Sequence, residues 1–410
     1  MLEVPETKRL ADGYPHIQVE PINYAAAVEF LGLEMVHEKF HTLSHGFDEP
    51  LEWIDFCIVR SVMASYIEPK QRGLFDTTER LEELHKMGDP LARLDAVIDW
   101  TVFEPVMGLI PKVDPKGPGG RPGFPPLLMF KVLVIGHLYN LSDAQLEFQI
   151  TDRLSFKRFL GVTEADKSPD QKTIWAFRET LVTNDLQSTA FEVFHEVLDK
   201  RGLLAHKGQM IDATFVDVPR QRNSREDNAK IKDGQTPDGW DEKPEMARQK
   251  DLDARWTKKN DEKHYGYKNH VKVDSKSKLI DDFRVTSASV HDSQALDDLL
   301  AEGDPVTYVD SAYTGEACEE VFERKCVKGK VIERAYRNKP LTARQRKRNR
   351  AKSRIRVRVE HVFGTMCMCM RAAWNRCIGM NRNYGAVAMT NLVYNMIRLE
   401  QIERLELRTW

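Results

Sequence analysis

MIDATFVDV, residues 210–218, is the stretch on which the fold class turns. It is a short apolar run, rich in β-branched residues and bounded by Gly208 and Pro219, and it reads as a buried strand. The periodicity changes character on either side of it. Downstream, HYGYKNHVKVD (264–274) and LIDDFRVTSAS (279–289) read as two further strands joined by a Ser/Lys turn. Asp292 is placed to cap a helix reaching Leu300, PVTYVDSAY (305–313) is a strand, Glu316 to Lys325 a helix, and GKVIERAY (329–336) a strand. From Thr342 to the end the pattern is mostly helical. Three strands in a meander followed by alternating strand and helix imply an α/β domain with a mixed five-stranded sheet covered by helices.

Upstream of the first strand the pattern is helical from Leu74 onward. KVDPKGPGGRPGFPP (112–126) cannot hold a regular element and marks a boundary. Leu127 to Tyr139 is strongly apolar, and Ser142 with Gln145 three residues on forms a capping-box signature. Ser168-Pro169-Asp170 starts a helix presenting Lys172, Trp175, Phe177 and Arg178, and Thr183 is read as opening a long one that stops at Gly202. The expected organisation is an extension over 1–62 of uncertain origin and a helical domain over 63–205. A catalytic domain over 206–400, with a charged, exposed insertion at about 219–262, and a tail over 401–410 complete it.

Composition narrows the class. At 410 residues, with 41% hydrophobic and 30% charged residues, the chain can bury a sizeable core. The longest apolar stretch, Pro126 to Tyr139, contains Lys131 and His137 and is too short for a membrane span, so a cytoplasmic protein is expected. Six cysteines show no CxxC pairing, and Cys367 with Cys369 makes only a lone CxC, so all read as reduced thiols. The net charge of -2 hides an asymmetry. From Arg337 to Arg382 basic residues recur throughout, among them Arg348, Arg350, Lys352, Arg354, Arg356, Arg358 and Arg371, with Glu360 the one acid. Local charge sets the field at a DNA surface, so this segment is expected to contact phosphates.

Asp212 stands inside an apolar strand, where an unpaired carboxylate is costly, and Asp310 repeats the situation at the end of VTYVD. Two carboxylates at the ends of core strands suggest a cation site built of oxygen ligands. Glu360 has a plainer reading as counter-ion to Arg356 one turn earlier. Its surroundings alternate like a strand over Ile355, Val357 and Val359. Yet Ile355, Val359, Val362, Phe363, Met366 and Met370 fall on one helical face, which favours helix. Asp217, five residues from Asp212, is expected to project from the opposite face in a structural role, and Asp292 to be an N-cap.

These motifs resemble the transposases of bacterial insertion sequences with an Asp-Asp-Glu triad, of the insertion-sequence-five type. The likeness runs from about Leu74 to Leu399. It is carried by residues 120–162, SPDQKTIWAFRETL (168–181), the IDAT of 211–214, and VDSAY with RVRVEHVFG (309–313, 356–364). The resemblance implies a ribonuclease-H-like catalytic fold behind a helical domain that binds DNA ends. It implies Asp212, Asp310 and Glu360 as catalytic metal ligands for two Mg²⁺ or Mn²⁺ ions, cleavage at the element's ends, and transfer of the 3′-OH into target DNA. Double-stranded DNA, as terminal inverted repeats and target, is the implied partner, with at least a dimer to hold two ends. Arg356 matches the signature arginine, whereas Cys367 stands where a polar residue is usual, leaving Arg371 to substitute. Lys172 and Arg178 are further DNA-facing candidates, and His291 and Tyr313 candidates for supporting the site. A nuclease without strand transfer, or a catalytically silent DNA-binding derivative, are the competing readings.

Overall fold

The computed structural model describes residues 73, 75–111, 122–259, 261–337 and 339–407. The expected extension over 1–62 and most of the 112–126 connector lie outside them. Thr77–Trp410 form one unit, described here.

Helices come first: α1 (Asp76–Lys86), α2 (Pro90–Val97), α3 (Glu104–Gly108), α4 (Pro126–Tyr139), α5 (Asp143–Asp152), α6 (Leu154–Leu160), α7 (Gln171–Thr183) and α8 (Leu186–Lys200). Helix α4 is apolar on nearly every side, so it can be stable only when surrounded. It starts on Pro126, ends at left-handed Asn140, and buries Met129, Phe130, Val132, Leu133, Val134 and Ile135. Ser142 and Gln145 form the capping box expected of them at the start of α5. Thr183 ends α7 rather than opening the next helix. The chain turns through Asp185 in the left-handed region before α8 begins.

The sheet follows: β1 (Gln209–Asp217), then, after short helices α9 (Arg225–Lys232) and α10 (Pro244–Ala247), β2 (Arg255–Lys259), β3 (Glu262–Asp274) and β4 (Ile280–Ser287). After α11 (Leu296–Leu299) come β5 (Thr307–Val309), α12 (Glu316–Arg324) and β6 (Gly329–Val331). The long axis of the sheet runs β4–β3–β1–β5–β6, with β1, β3 and β4 antiparallel and β5 and β6 parallel to β1. This is the ribonuclease-H-like order. It has six strands and not the expected five, because β2 pairs with the first residues of β3 to make a hairpin inside the segment read as an exposed insertion. Turn-rich composition over 219–254 masked that short amphipathic strand. Strands β5 and β6 are also shorter than their sequence runs suggest, each ending where the chain leaves its parallel neighbour.

Gly266 marks the tightest approach in the sheet. It has φ of +147°, and a Cβ there would stand 2.3 Å from the carbonyl oxygen of Val216. Only glycine lets β3 cross from β2 to β1 at that point.

The chain closes with α13 (Ala343–Arg356), α14 (Arg358–Gly364), a π-helical turn over Thr365–Cys369 and the long α15 (Met380–Arg404). Helix α15 lies against both halves of the unit. Val387, Met389, Leu392, Val393, Met396, Leu399 and Ile402 are buried in one apolar cluster that takes in Phe130, Phe194, Met210, Val271 and Phe283. Its buried asparagines bond the sheet: Asn391 exchanges hydrogen bonds of 2.8 and 3.3 Å with Asn269 of β3. Asn395 accepts from the Ile280 amide and donates to its carbonyl, both at 2.8 Å. On the helical side Glu400 pairs with Arg93 of α2 and Arg382 with Glu179 of α7. No single helix among the described residues is long and apolar enough to cross a membrane.

Candidate active site

Parallel pairing of β1 and β5 brings the first two carboxylates together. Gln209 lies opposite Thr307 and Met210 opposite Tyr308, so the same offset carries Asp310 level with Asp212. Asp310 leaves the strand at its carboxyl end, where its Oδ1 accepts from the Ala312 amide at 2.7 Å. Ligand sites in open α/β sheets gather at such strand ends.

The third carboxylate arrives on α14. Val359, Val362, Phe363, Met366 and Met370 are all buried, which confirms the helical face read from the sequence and turns Glu360 to the opposite side. Asp212, Asp310, Glu360 and Arg356 line one cleft of about 520 Å³, with Asp217, Lys259, Glu262, His264 and Phe215 on its other walls. Asp217 therefore faces this cleft, against the expectation from strand alternation. It is also bonded there, accepting from the Tyr265 amide at 3.2 Å and lying 3.4 Å from His264 Nδ1.

Arg356, the last residue of α13, ties the acids together. It donates to Asp212 at 2.5 Å and to Glu360 at 3.5 Å. The plain reading of Glu360 as its counter-ion is thus realised alongside convergence on the cleft. Asp212 has a side chain 14% exposed, Glu360 one 54% exposed. Burial pushes the Asp212 carboxyl up to about 6; Arg356 and the Ala213 amide pull it down, while Asp310 and Glu360 push it further up. Tyr313 is buried near Asp212 and Asp310, its hydroxyl without a hydrogen-bond partner and its pKa raised well above the ordinary value, chiefly by burial.

In kind, these donors fit a hard divalent cation: carboxylates from three elements, one with a raised pKa caused partly by the other two. In arrangement, the positive charge among them is the Arg356 guanidinium. No three His, Cys, Asp or Glu side chains among the described residues stand close enough to enclose an ion by themselves.

Other candidates land differently. His291 caps the turn after β4, its ring accepting from Ser293, and is exposed away from the cleft. Asp292, expected as that cap, instead pairs with buried Lys268 at 2.8 Å. Arg371 cannot replace the polar residue missing at Cys367 from the same helical face, because the helix ends at the π-turn and Arg371 sits beyond it with φ of +51°. Cys367 shares a hydrogen bond with Thr214. Arg178 turns inward to Asp143, while Lys172 is exposed.

The basic helix α13 buries no residue. Arg350 and Arg354 are exposed, and Arg348 is half-exposed beside Glu333. Lys352 donates to the Val331 carbonyl at 2.5 Å and Arg358 to the Ser275 carbonyl at 2.7 Å, so both of these serve the fold.

The sheet order and the acids at its strand ends define a ribonuclease-H-like protein. Residues 204–396 match the transposase DDE domain family, and residues 79–180 match a second family described as a transposase domain. By these two matches the catalytic region is similar to the DDE domain of transposases, and the helical region to a second transposase domain. The crystal structure of a pre-cleavage Mos1 transpososome is 11% identical over 87% of this chain and 96% of that one, at a TM-score of 0.18. That superposition is too loose to bear on the site.

Proposed function

We propose that the protein cuts DNA at the ends of an insertion sequence of the insertion-sequence-five type and joins the freed 3′-OH to target DNA. The observation that carries this reading is the strand register that sets Asp310 beside Asp212, with Glu360 facing the same cleft. Asp212, Asp310 and Glu360 would hold divalent metal, Mg²⁺ or Mn²⁺, which supplies charge neutralisation and activation of the attacking oxygen. Asp212 must be ionised to do so, and its raised pKa of about 6 leaves it ionised at neutral pH. Arg356 offsets the acids until DNA enters; its guanidinium then has a phosphate oxygen as an alternative partner. Tyr313, buried near Asp212 and Asp310 with its hydroxyl unbonded, would support the site by packing alone. Arg350 and Arg354 on α13 extend the positive surface along the bound duplex, and Lys172 adds to it from α7. Two ends must be held together, so the active species is at least a dimer acting on terminal repeats and target.

The test is purified full chain with labelled duplex carrying the terminal repeats that flank its coding sequence, in Mg²⁺ or Mn²⁺. Nicking and end joining by wild type, both abolished in Asp310→Asn with DNA binding kept, are expected. Absence of both in wild type, or full activity of Asp310→Asn, would reject the reading. Nicking without joining would leave a nuclease.

A further inference from the structure

The wall of the cleft opposite Arg356 belongs to the β2–β3 hairpin. In its register Lys259 faces Glu262 and Thr257 faces His264, so these four side chains share one face, while Trp256, Lys258, Lys263 and Tyr265 share the other. Lys259, Glu262 and His264 of the first face line the cleft that holds Asp212, Asp310 and Glu360.

That face is built around Phe215, three residues after Asp212 on β1. His264 stacks on the Phe215 ring at 4.1 Å with 5° between planes, and the ammonium groups of Lys259 and Lys268 stand 5.6 and 5.5 Å from its centre. Aromatic contacts of this kind hold a long side chain in place without satisfying its charge. The two lysines then part company. Lys268 is buried and spent on Asp292 and the Val290 carbonyl. Lys259 is exposed, and among the described residues it forms no ion pair. Of the cations lining the cleft, Arg356 is paired with Asp212 and Glu360, and His264 lies beside Asp217 and Glu262. Lys259 is thus the lining cation left without a carboxylate partner among the described residues, in a cleft whose other charges are mostly acidic.

We infer that Lys259 binds a backbone phosphate of the DNA strand being cut, one neighbouring the scissile phosphate, so that the β2–β3 hairpin and α14 form the two walls between which that strand runs. This rests on the proposed function. A diester entering a carboxylate-lined cleft meets repulsion, which a positioned ammonium relieves on the wall where Arg356 cannot reach. Lys259 is a positioning group here; no bond is made or broken at it.

The experiment uses the full chain and terminal-repeat duplexes carrying a single neutral methylphosphonate at each of the phosphates flanking the cut. Cleavage rate at saturating protein is compared for wild type, Lys259→Ala and Lys259→Arg, with thermal melting to verify folding. Lys259→Ala is expected to slow cleavage ~10-fold, with Lys259→Arg restoring most of the loss. At one flanking position the methylphosphonate should abolish the difference between wild type and Lys259→Ala. A Lys259→Ala variant that cleaves like wild type, or a loss that persists undiminished at every neutralised position, would overturn the inference. If wild type does not cleave, the proposed function fails, and salt titration of binding to the same duplex in Ca²⁺ decides the contact separately. Lys259→Ala should then lower the slope of log affinity against log salt by about 0.9, and an unchanged slope rejects it.

Discussion

Arg356 has the most tightly constrained side chain at the site. Its guanidinium bridges a nearly buried carboxylate and an exposed one, at 2.5 and 3.5 Å. Truncating it leaves Asp212 in a desolvated position with no cation, which costs more than an exposed pair of the same kind. We expect Arg356→Ala to lower unfolding free energy by about 2 kcal/mol in urea titrations without divalent metal, and Glu360→Gln by under about 1 kcal/mol. Equal losses would mean that the arginine acts on both acids alike. Gly266 makes a second prediction at this scale. With a positive φ and a Cβ position 2.3 Å from a backbone oxygen, Gly266→Ala must displace β1 or β3. Soluble yield or melting temperature should fall sharply, and a variant as stable as wild type would show that the strands can part there at little cost.

At the scale of elements, α15 is registered on the sheet by polar contacts within an apolar face. Asn391→Leu would leave both polar atoms of Asn269 unbonded in a site 2% exposed, a loss of about 2–4 kcal/mol. The double variant Asn391→Leu with Asn269→Val should recover part of that, since removing both partners leaves no orphaned group. A double variant as unstable as the sum of the two singles would reject coupling between helix and strand. Helix α13 behaves in the opposite way, since it carries charge on all sides and buries nothing. Replacing Arg346, Arg350 and Arg354 with Ala should leave melting unchanged while flattening the salt dependence of DNA binding by about 2–3 in slope. Lys352→Ala should show the reverse, a loss of stability with little change in slope, because its ammonium is bonded to Val331.

Over the whole molecule, two imidazoles set the response to acid. His137 on α4 is half-buried and His270 on β3 buried, and desolvation is the chief cause holding them down to about 3 and about 4 from an ordinary 6.5. Both are neutral in the fold and protonate in the unfolded chain first. Their destabilising effect is absent above pH 6.5 and grows as pH falls from 6.5 toward 4, by about 1.4 kcal/mol per pH unit for each imidazole. His206, raised by its bond to Asp199, works against them, as does Asp212, whose carboxyl at about 6 takes up a proton in the fold before it does in the unfolded chain. Unfolding free energy measured from pH 7.5 to 5 should therefore fall, and His270→Gln should reduce the slope. An identical slope in the variant would exclude His270 as a cause.

The local choices were legible in the sequence because they depend on neighbours along the chain. The strand over Asp212 followed from a β-branched run between Gly208 and Pro219. The helix under Glu360 followed from apolar residues spaced to cover one face, and the start of α5 from Ser142 and Gln145. What only the tertiary structure decided depends on partners distant in sequence. The offset that makes Asp310 level with Asp212 is a property of parallel pairing between β1 and β5, to which neither strand's composition is sensitive. Which basic residues of 344–358 face solvent, and which are spent on carbonyls of β6 or the β3–β4 turn, depends on what packs beside α13 and α14. Lys259 and its hairpin were hidden for the same reason. A five-residue strand amid charged, turn-rich sequence carries too weak a period to be read, and its ammonium acquires a place in the cleft only when β3 folds it back over Phe215.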